Sequence, residues 1–311
     1  MQATTQQPTI PSAAALPLQG IHALSLALNL PGPATLLRCK TMGAECTKIE
    51  PMAPSGSTSA DPMVLYSPSA YAQLHAGVHI LQANLKTAQG QALLQEQLAQ
   101  TDVLITSFRP SALNKLGLNW DALHAQHPRL GMVRIFGDST PELAEHPGHD
   151  LTYQAQAGLT DTGAMPASLF ADMAGALQGS EAVLQTLLLR AQTGYGHCLA
   201  VGLAQAAQWL AMPLQWNMTT PTGDVGGAHA GYRMYACIDG WVAVAALEPH
   251  FAQRLCNAAG IQGCDGSTDF MRQRSVHAAI GEFLQHRCGV EIEAMATKSD
   301  IPLRVVSAQN K

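Results

Sequence analysis

"GIHALSLALNLPGPATLLRCKTMGAECTKIEP", residues 20–51, decides the fold. Residues 20–28 are a short apolar run of the kind a buried strand needs. Residues 31–44 have the spacing of a helix. Pro33 is tolerated in a first turn, where its missing N–H is no loss, and Gly43 closes the segment. Residues 45–51, "ECTKIEP", return to strand character. Strand, helix and strand within about thirty residues make the βαβ unit of a parallel sheet. The intervening turn, "LNLPGPA", has one glycine between two prolines and lacks the G-x-G-x-x-G that cradles a pyrophosphate. No nicotinamide or flavin cofactor is therefore expected.

Working outward, residues 52–80 are polar, rich in Ser, Pro and Ala, and predict an irregular excursion. Residues 86–100 predict a helix, 102–108 a strand, 119–128 a helix capped by Asn119, and 130–137 another strand. This alternation predicts an α/β protein with an open, Rossmann-like parallel sheet. The second half is more helical, with helices over 171–194, ending at Gly194, and over 203–216. Residues 217–231 are rich in Gly and Thr and suit a linker. Beyond them "YRMYACIDGWVAVAAL" predicts a hairpin turning at Asp239-Gly240, followed by helices. The expected organisation is a flexible tail over 1–16, a large domain over 17–216, the linker, and a smaller α+β domain over 232–311.

The chain has 311 residues, enough for one large or two modest domains. Only 13% are charged against 47% apolar, and 17 basic residues in a net charge of -5 give no field for nucleic acid. The first residues carry no secretory signal, and no apolar run is long enough to span a membrane. The 7 cysteines form no C-x-x-C pair and suggest reduced thiols. The expected setting is cytoplasmic, with neither membrane nor nucleic acid as partner.

Candidate chemistry concentrates in "AEHPGHDLTYQAQAG", residues 144–158, where His149 and Asp150 follow a Pro-Gly turn. Histidine suits proton transfer near neutral pH, although a lone loop histidine is more often a surface residue. Asp172 opens the 171–194 helix, where it either caps the helix or faces a ligand. The small residues after it, "DMAGALQGS", leave room for a ligand to approach the helix start, whose N–H groups suit an oxyanion. Glu248 follows a strand and precedes Pro249. Arg109 closes a strand at the edge where open α/β sheets bind ligands, with Lys115 nearby; a salt bridge or a phosphate contact fits both. The pairs His75/His79, His124/His127 and His146/His149 lack H-E-x-x-H or cysteine neighbours, so no metal is expected. G-x-S-x-G is absent.

The segments "LPGPATLL…MGAECTKIEP", "NLKTAQGQALL", "TDVLITSFRPSALNKLGL", "HPRLGMVRIFG", "PGHDLTYQAQAGL", "ADMAGALQG", "RAQTGYG" and "YRMYACIDGWVAVAALEPHF" run in an order that resembles the family III CoA-transferases, the CaiB/BaiF group. The likeness covers residues 17 to about 260 and is greatest to the α-methylacyl-CoA racemase branch. It implies a Rossmann-like large domain and a small domain, two chains interlocked as a homodimer, and an acyl-CoA substrate without a further cofactor. In the racemase branch, His149 and Asp172 would exchange the α-proton of a 2-methylacyl-CoA, with Glu248 in support. In the transferase branch, Asp172 would be the covalent carrier. The resemblance places CoA or substrate contacts at Ala83, Asn84, Leu85, Lys86, Arg109 and Lys115, and at Gly148, Asp150 and Tyr153. Racemisation needs a base on one face of the α-carbon and an acid on the other, which His149 and Asp172 supply; transfer needs a carboxylate alone.

The chain departs from the pattern at Ala76, Val78 and His79, where basic residues would meet CoA phosphates, at Glu50-Pro51, where the racemase branch can carry arginine, and at "FGDST" after the strand near 137. It also ends before the return to the large domain that the family would lead one to expect. A racemase, a CoA-transferase and a diverged non-catalytic homologue all remain open from the sequence.

Overall fold

The βαβ unit forms as β1 (His22–Ser25), α1 (Pro31–Thr41) and β2 (Glu45–Glu50), with β1 and β2 parallel and Ala23 opposite Cys46. Pro31 and Pro33 lie in the first turn of α1, and Gly43, at φ 100°, follows its end. The computed structural model describes residues 16–160 and 163–307; nearly all of the expected tail lies outside them. The chain divides into two units, one running to Leu210 and the other beginning at Ala211.

In the first unit the chain continues through α2 (Met63–Tyr66), α3 (Pro68–Leu74), β3 (His79–Gln82), α4 (Ala88–Leu98), β4 (Val103–Thr106), α5 (Pro110–Lys115), α6 (Trp120–Gln126) and β5 (Gly131–Phe136). It ends with α7 (Asp150–Ala157), α8 (Phe170–Thr193), β6 (Cys198–Gly202) and α9 (Leu203–Leu210). The six strands are all parallel, in the order β3-β2-β1-β4-β5-β6. This is the order of a dinucleotide-binding sheet, with its crevice where β1 and β4 lead the chain in opposite directions. Val103, Leu104 and Ile105 are wholly buried, as expected for a strand covered on both faces. One core packs α1, α8 and α9 on the sheet around Leu36, Val133, Ile135 and Val183; the other packs α4 to α6 around Leu94, Leu104, Leu113 and Leu123.

Residues 52–80 are more ordered than their composition suggests. Ser67 caps α3 through its side chain and Pro68 starts it, while β3 pairs with β2 as an edge strand. The alternation of β3 is weak because His79 and Gln82 are exposed and Ile80 and Leu81 are both only half-buried. The helix expected over 203–216 breaks at Ala211, and Pro213 sits in the first turn of the next segment.

The second unit holds α10 (Met212–Gln215), β7 (Tyr232–Cys237), β8 (Gly240–Ala245), α11 (Pro249–Ala258), α12 (Thr268–Met271), α13 (Arg274–Gln285), α14 (Gly289–Ser299) and β9 (Leu303–Ser307). Its antiparallel sheet has the order β7-β8-β9, with the hairpin turning at Asp239-Gly240. The helices pack on it around Tyr235, Val242, Leu255 and Ile280. The segment 217–231 belongs to this unit and buries His229 and Ala230. No described helix is long and apolar enough to cross a membrane.

Candidate active site

His149 and Asp172 lie at the starts of consecutive helices, and Asp150 joins those starts. His149 is the N-cap of α7, in extended conformation, and its N–H donates to the Thr152 hydroxyl at 3.1 Å. Its imidazole is exposed. Asp150, the first residue of α7, points inward and is 4% exposed. Its Oδ1 accepts the backbone N–H of Asp172 at 3.0 Å, and its Oδ2 accepts from Gln154 Nε2. Gln154 also donates to the Ser168 carbonyl at 3.0 Å, just before α8.

Asp150 is expected from the sequence to contact substrate; in the structure both of its oxygens also have partners within the protein. It acts as the cap of α8 and as a fixed negative charge beside Asp172. The glycines of "DMAGALQGS" serve helix packing. A Cβ on Gly175 would overlap Leu203, and one on Gly179 would overlap Thr35, so these glycines let α8 approach α9 and α1. The N–H of Asp172 itself is already bonded, which removes one donor from any oxyanion site at the helix start.

The carboxyl of Asp172 is half-buried. Burial, and after it the Asp150 carboxylate, push its pKa up from 3.8 to about 7. A carboxyl poised there can give or take a proton at neutral pH. Tyr153 completes the group. Its ring is buried, and a Cβ on either Gly137 or Gly148 would overlap its hydroxyl, so both positions need glycine. Burial raises the pKa of this phenol, the Asp172 carboxylate raises it further, and Arg109 opposes the rise. Arg109 is the exposed N-cap of α5, beyond the end of β4, within electrostatic reach of Tyr153. Gly148, His149, Asp150, Tyr153, Asp172 and Arg109 thus belong to one neighbourhood.

Ala83, Asn84, Leu85 and Lys86 follow β3 at the same sheet edge. The N–H of Ala83 is bonded to the Glu50 carbonyl at 2.9 Å, and that of Lys86 to Asn84 Oδ1 at 3.0 Å. Asn84 and Lys86 are exposed, whereas Ala83 is buried. Lys115 is exposed in the last turn of α5. Glu248 is the N-cap of α11 in the second unit. Gln154 was missed from the sequence, although its i+4 spacing from Asp150 on a helix is the signal that finds it. In the "FGDST" segment, Asp138 accepts from Thr140 N–H at 2.8 Å and from Gln205 Nε2 at 2.7 Å, which ties this wall to α9.

Glu50, where an arginine was considered, belongs to an internal ion cluster. The ammonium of Lys48 lies 2.8 Å from Glu50 Oε1, 2.5 Å from Asp61 Oδ2 and 2.9 Å from His75 Nε2. Glu50, Asp61 and His75 are close enough together to hold a metal ion, but the lysine already places a positive charge among them. His75 Nδ1 lies 2.7 Å from the Tyr71 carbonyl, which leaves Nε2 to face the ammonium as an acceptor. Burial, and then Lys48, lower its pKa and keep the ring neutral.

The model of "CoA-transferase family III" matches residues 18–311. The beta subunit of succinyl-CoA–L-malate CoA-transferase from Chloroflexus aurantiacus is 27% identical, over 88% of this chain and 73% of that protein. Alpha-methylacyl-CoA racemase from Homo sapiens is 26% identical, over 79% of this chain and 65% of that protein. The chain therefore spans between two thirds and three quarters of the length of the first and just under two thirds of the second. A CAIB/BAIF family protein from Brucella suis shares the fold with a TM-score of 0.74 at 23% identity, covering 95% of this chain and 85% of its own. A hypothetical protein from Mycobacterium tuberculosis does so at 0.79 and 23%, covering 94% and 85%. The chain belongs to CoA-transferase family III.

Proposed function

We propose that the chain acts on an acyl-CoA and exchanges the α-proton of a 2-methylacyl group between His149 and Asp172. The observation that carries this reading is the half-buried Asp172 carboxyl beside Asp150, whose pKa burial and the Asp150 charge push up to about 7. The α-proton of a thioester is weakly acidic, so its removal needs a base that is unprotonated at working pH and still strong enough to take it. A surface aspartate meets only the first requirement, whereas Asp172 meets both. The exposed His149 at the neighbouring helix start is the second proton carrier. Arg109 and the backbone of Asn84–Lys86 are the groups proposed to hold the CoA portion, with Glu248 in support of the reacting groups. The thioester activates its own α-carbon, so no further cofactor is required.

The test is deuterium exchange into a 2-methylacyl-CoA, followed by NMR. Asp172→Ala and His149→Ala are each expected to abolish it. Exchange that survives Asp172→Ala would sink the reading.

A second reading, transfer of CoA between carboxylic acids with Asp172 as covalent carrier, is favoured by the CoA-transferase among the relatives. The same variants separate the two readings. Transfer predicts that His149→Ala keeps most of the activity while Asp172→Ala removes it. We propose a cytoplasmic homodimer as the working form. It is supported by the seven free cysteines and by an apolar face on α8 and α9, where Leu177 is 51% exposed and Trp209 64%.

A further inference from the structure

In the second unit three sulfur atoms meet. The thiol of Cys256 donates to the Met271 sulfur at 3.6 Å, and the thiol of Cys264 donates to the same sulfur at 4.0 Å. Cys256 lies on α11, Met271 ends α12, and Cys264 belongs to the turn between them. Cys256 and Met271 are wholly buried. Cys264 is only half-buried, so the group is reached from its side.

A thioether is a weak acceptor. Cys46, by contrast, turns to the carbonyls of Leu36 and Ala44, both at 3.6 Å. Cys264 has a carbonyl within reach as well, that of Ala252 at 3.9 Å, yet it also faces the thioether. Two thiols and one thioether thus converge. A metal–sulfur bond of about 2.3 Å places three sulfurs round one ion about 4.0 Å apart, close to the spacings found here. Thiolate and thioether donors select copper(I) over the hard divalent ions. Among the described residues, no group of three His, Cys, Asp or Glu side chains includes either thiol, so the four ligands of a structural zinc centre are not assembled. Burial raises the pKa of the Cys256 thiol, and its hydrogen bond with Cys264 raises it further, so its proton stays until a cation takes its place.

We propose that Cys256, Cys264 and Met271 bind one copper(I) ion in a trigonal site. The two thiols release their protons to solvent, two thiolate–copper bonds form, and the Met271 sulfur adds a lone pair; no electron changes hands. The ion ties α11, the turn and α12 together, and a ligand that binds only the folded chain makes it harder to unfold. The site lies within the second unit and shares no residue with the Asp172 neighbourhood.

Anaerobic titration of the whole chain with copper(I), buffered by the competing chelator bicinchoninate, tests the proposal. One ion per chain should bind with release of two protons, and X-ray absorption should show three sulfur neighbours at about 2.3 Å. The ion should also raise the temperature of unfolding. Cys264→Ala should weaken binding by about a hundredfold or more, beyond what loss of an outer supporting residue costs. Met271→Leu should weaken it by roughly tenfold and leave two sulfur neighbours. This second change nearly conserves side-chain volume, and serves if Cys264→Ala fails to fold. Cys237→Ala and Cys288→Ala, at the other half-buried thiols of this unit, should bind as the wild type does. The proposal is overturned by the absence of one-to-one binding, by affinity unchanged in Cys264→Ala, or by three sulfur neighbours retained in Met271→Leu. Affinity lost in Cys237→Ala or Cys288→Ala would overturn it too.

Discussion

At the scale of single residues, Asp150 governs Asp172 in two ways that can be separated. It accepts the N–H of Asp172, which fixes the start of α8, and its negative charge helps keep the neighbouring carboxyl protonated. Asp150→Asn retains an oxygen for the N–H but removes the charge. The pKa of Asp172 should then fall, though not to its ordinary value, because burial is the larger cause. If Asp172 is the base, exchange rises as pH climbs through about 7 in the wild type. In Asp150→Asn that rise should move to lower pH, and a pH profile of α-proton exchange with an unmoved limb would contradict the role given to Asp150. The same group sets a stability dependence. Between 3.8 and about 7 the folded chain keeps a proton on Asp172 that the unfolded chain has lost. The unfolding free energy from this group therefore decreases as pH rises through that window. Asp172→Asn should remove this component, which urea midpoints measured across the window would show.

At the scale of elements, the Lys48 cluster explains how the excursion after β2 is held to the sheet. Asp61 accepts from Lys48 through Oδ2, and from the N–H groups of Asn29, at 3.1 Å, and Met63, at 3.0 Å, through Oδ1. One carboxylate thus joins β2, the turn after β1 and the start of α2. Lys48 is fully buried, and so is the carboxylate of Glu50. Lys48→Met would leave two buried carboxylates without their cation, at a cost of about 3–5 kcal/mol. Urea unfolding would measure it; a loss under about 1 kcal/mol, the size of a surface pair, would mean that the cluster is dispensable. None of this was legible in residues 52–80, because Asp61 and His75 are ordinary until folding brings Lys48 to them. What the sequence did carry was local chemistry. Asn119 caps α6, accepting from Ala122 N–H at 3.0 Å, Gly194 ends α8 at φ 82°, and Asp239-Gly240 turns the hairpin. The strands β3, β6 and β9 depend on partners distant in sequence, such as Val305 opposite Val242, and their own patterns are weak. The candidate site divides along the same line. His149 and Asp172 stand out in their segments, whereas the inward turn of Asp150 and the part played by Gln154 follow from the docking of α7 on α8.

At the scale of the whole molecule, α8 has two unlike faces. Toward the sheet and α1 it presents Ala171, Ala174, Gly175, Gly179 and Val183, all buried. On its open side Met173, Leu177 and Leu188 are exposed, and Trp209 and Leu210 of α9 are exposed as well. Leu177 and Leu210 border one groove with Trp209, so the α8 and α9 residues form a common patch rather than scattered exposures. A monomer seldom leaves an apolar patch of this kind in water unless something binds there. The homodimer proposed above would cover this patch with a second copy of the chain. Leu177→Asp together with Trp209→Ser should therefore halve the mass found by light scattering across a dilution series. The buried face of α8 is untouched by these changes, so the fold should persist, as far-ultraviolet circular dichroism would show. A wild-type chain that is monomeric at every concentration would refute the assembly while leaving the Asp172 chemistry untouched, since Asp150, Gln154 and Asp172 all come from one unit of one chain.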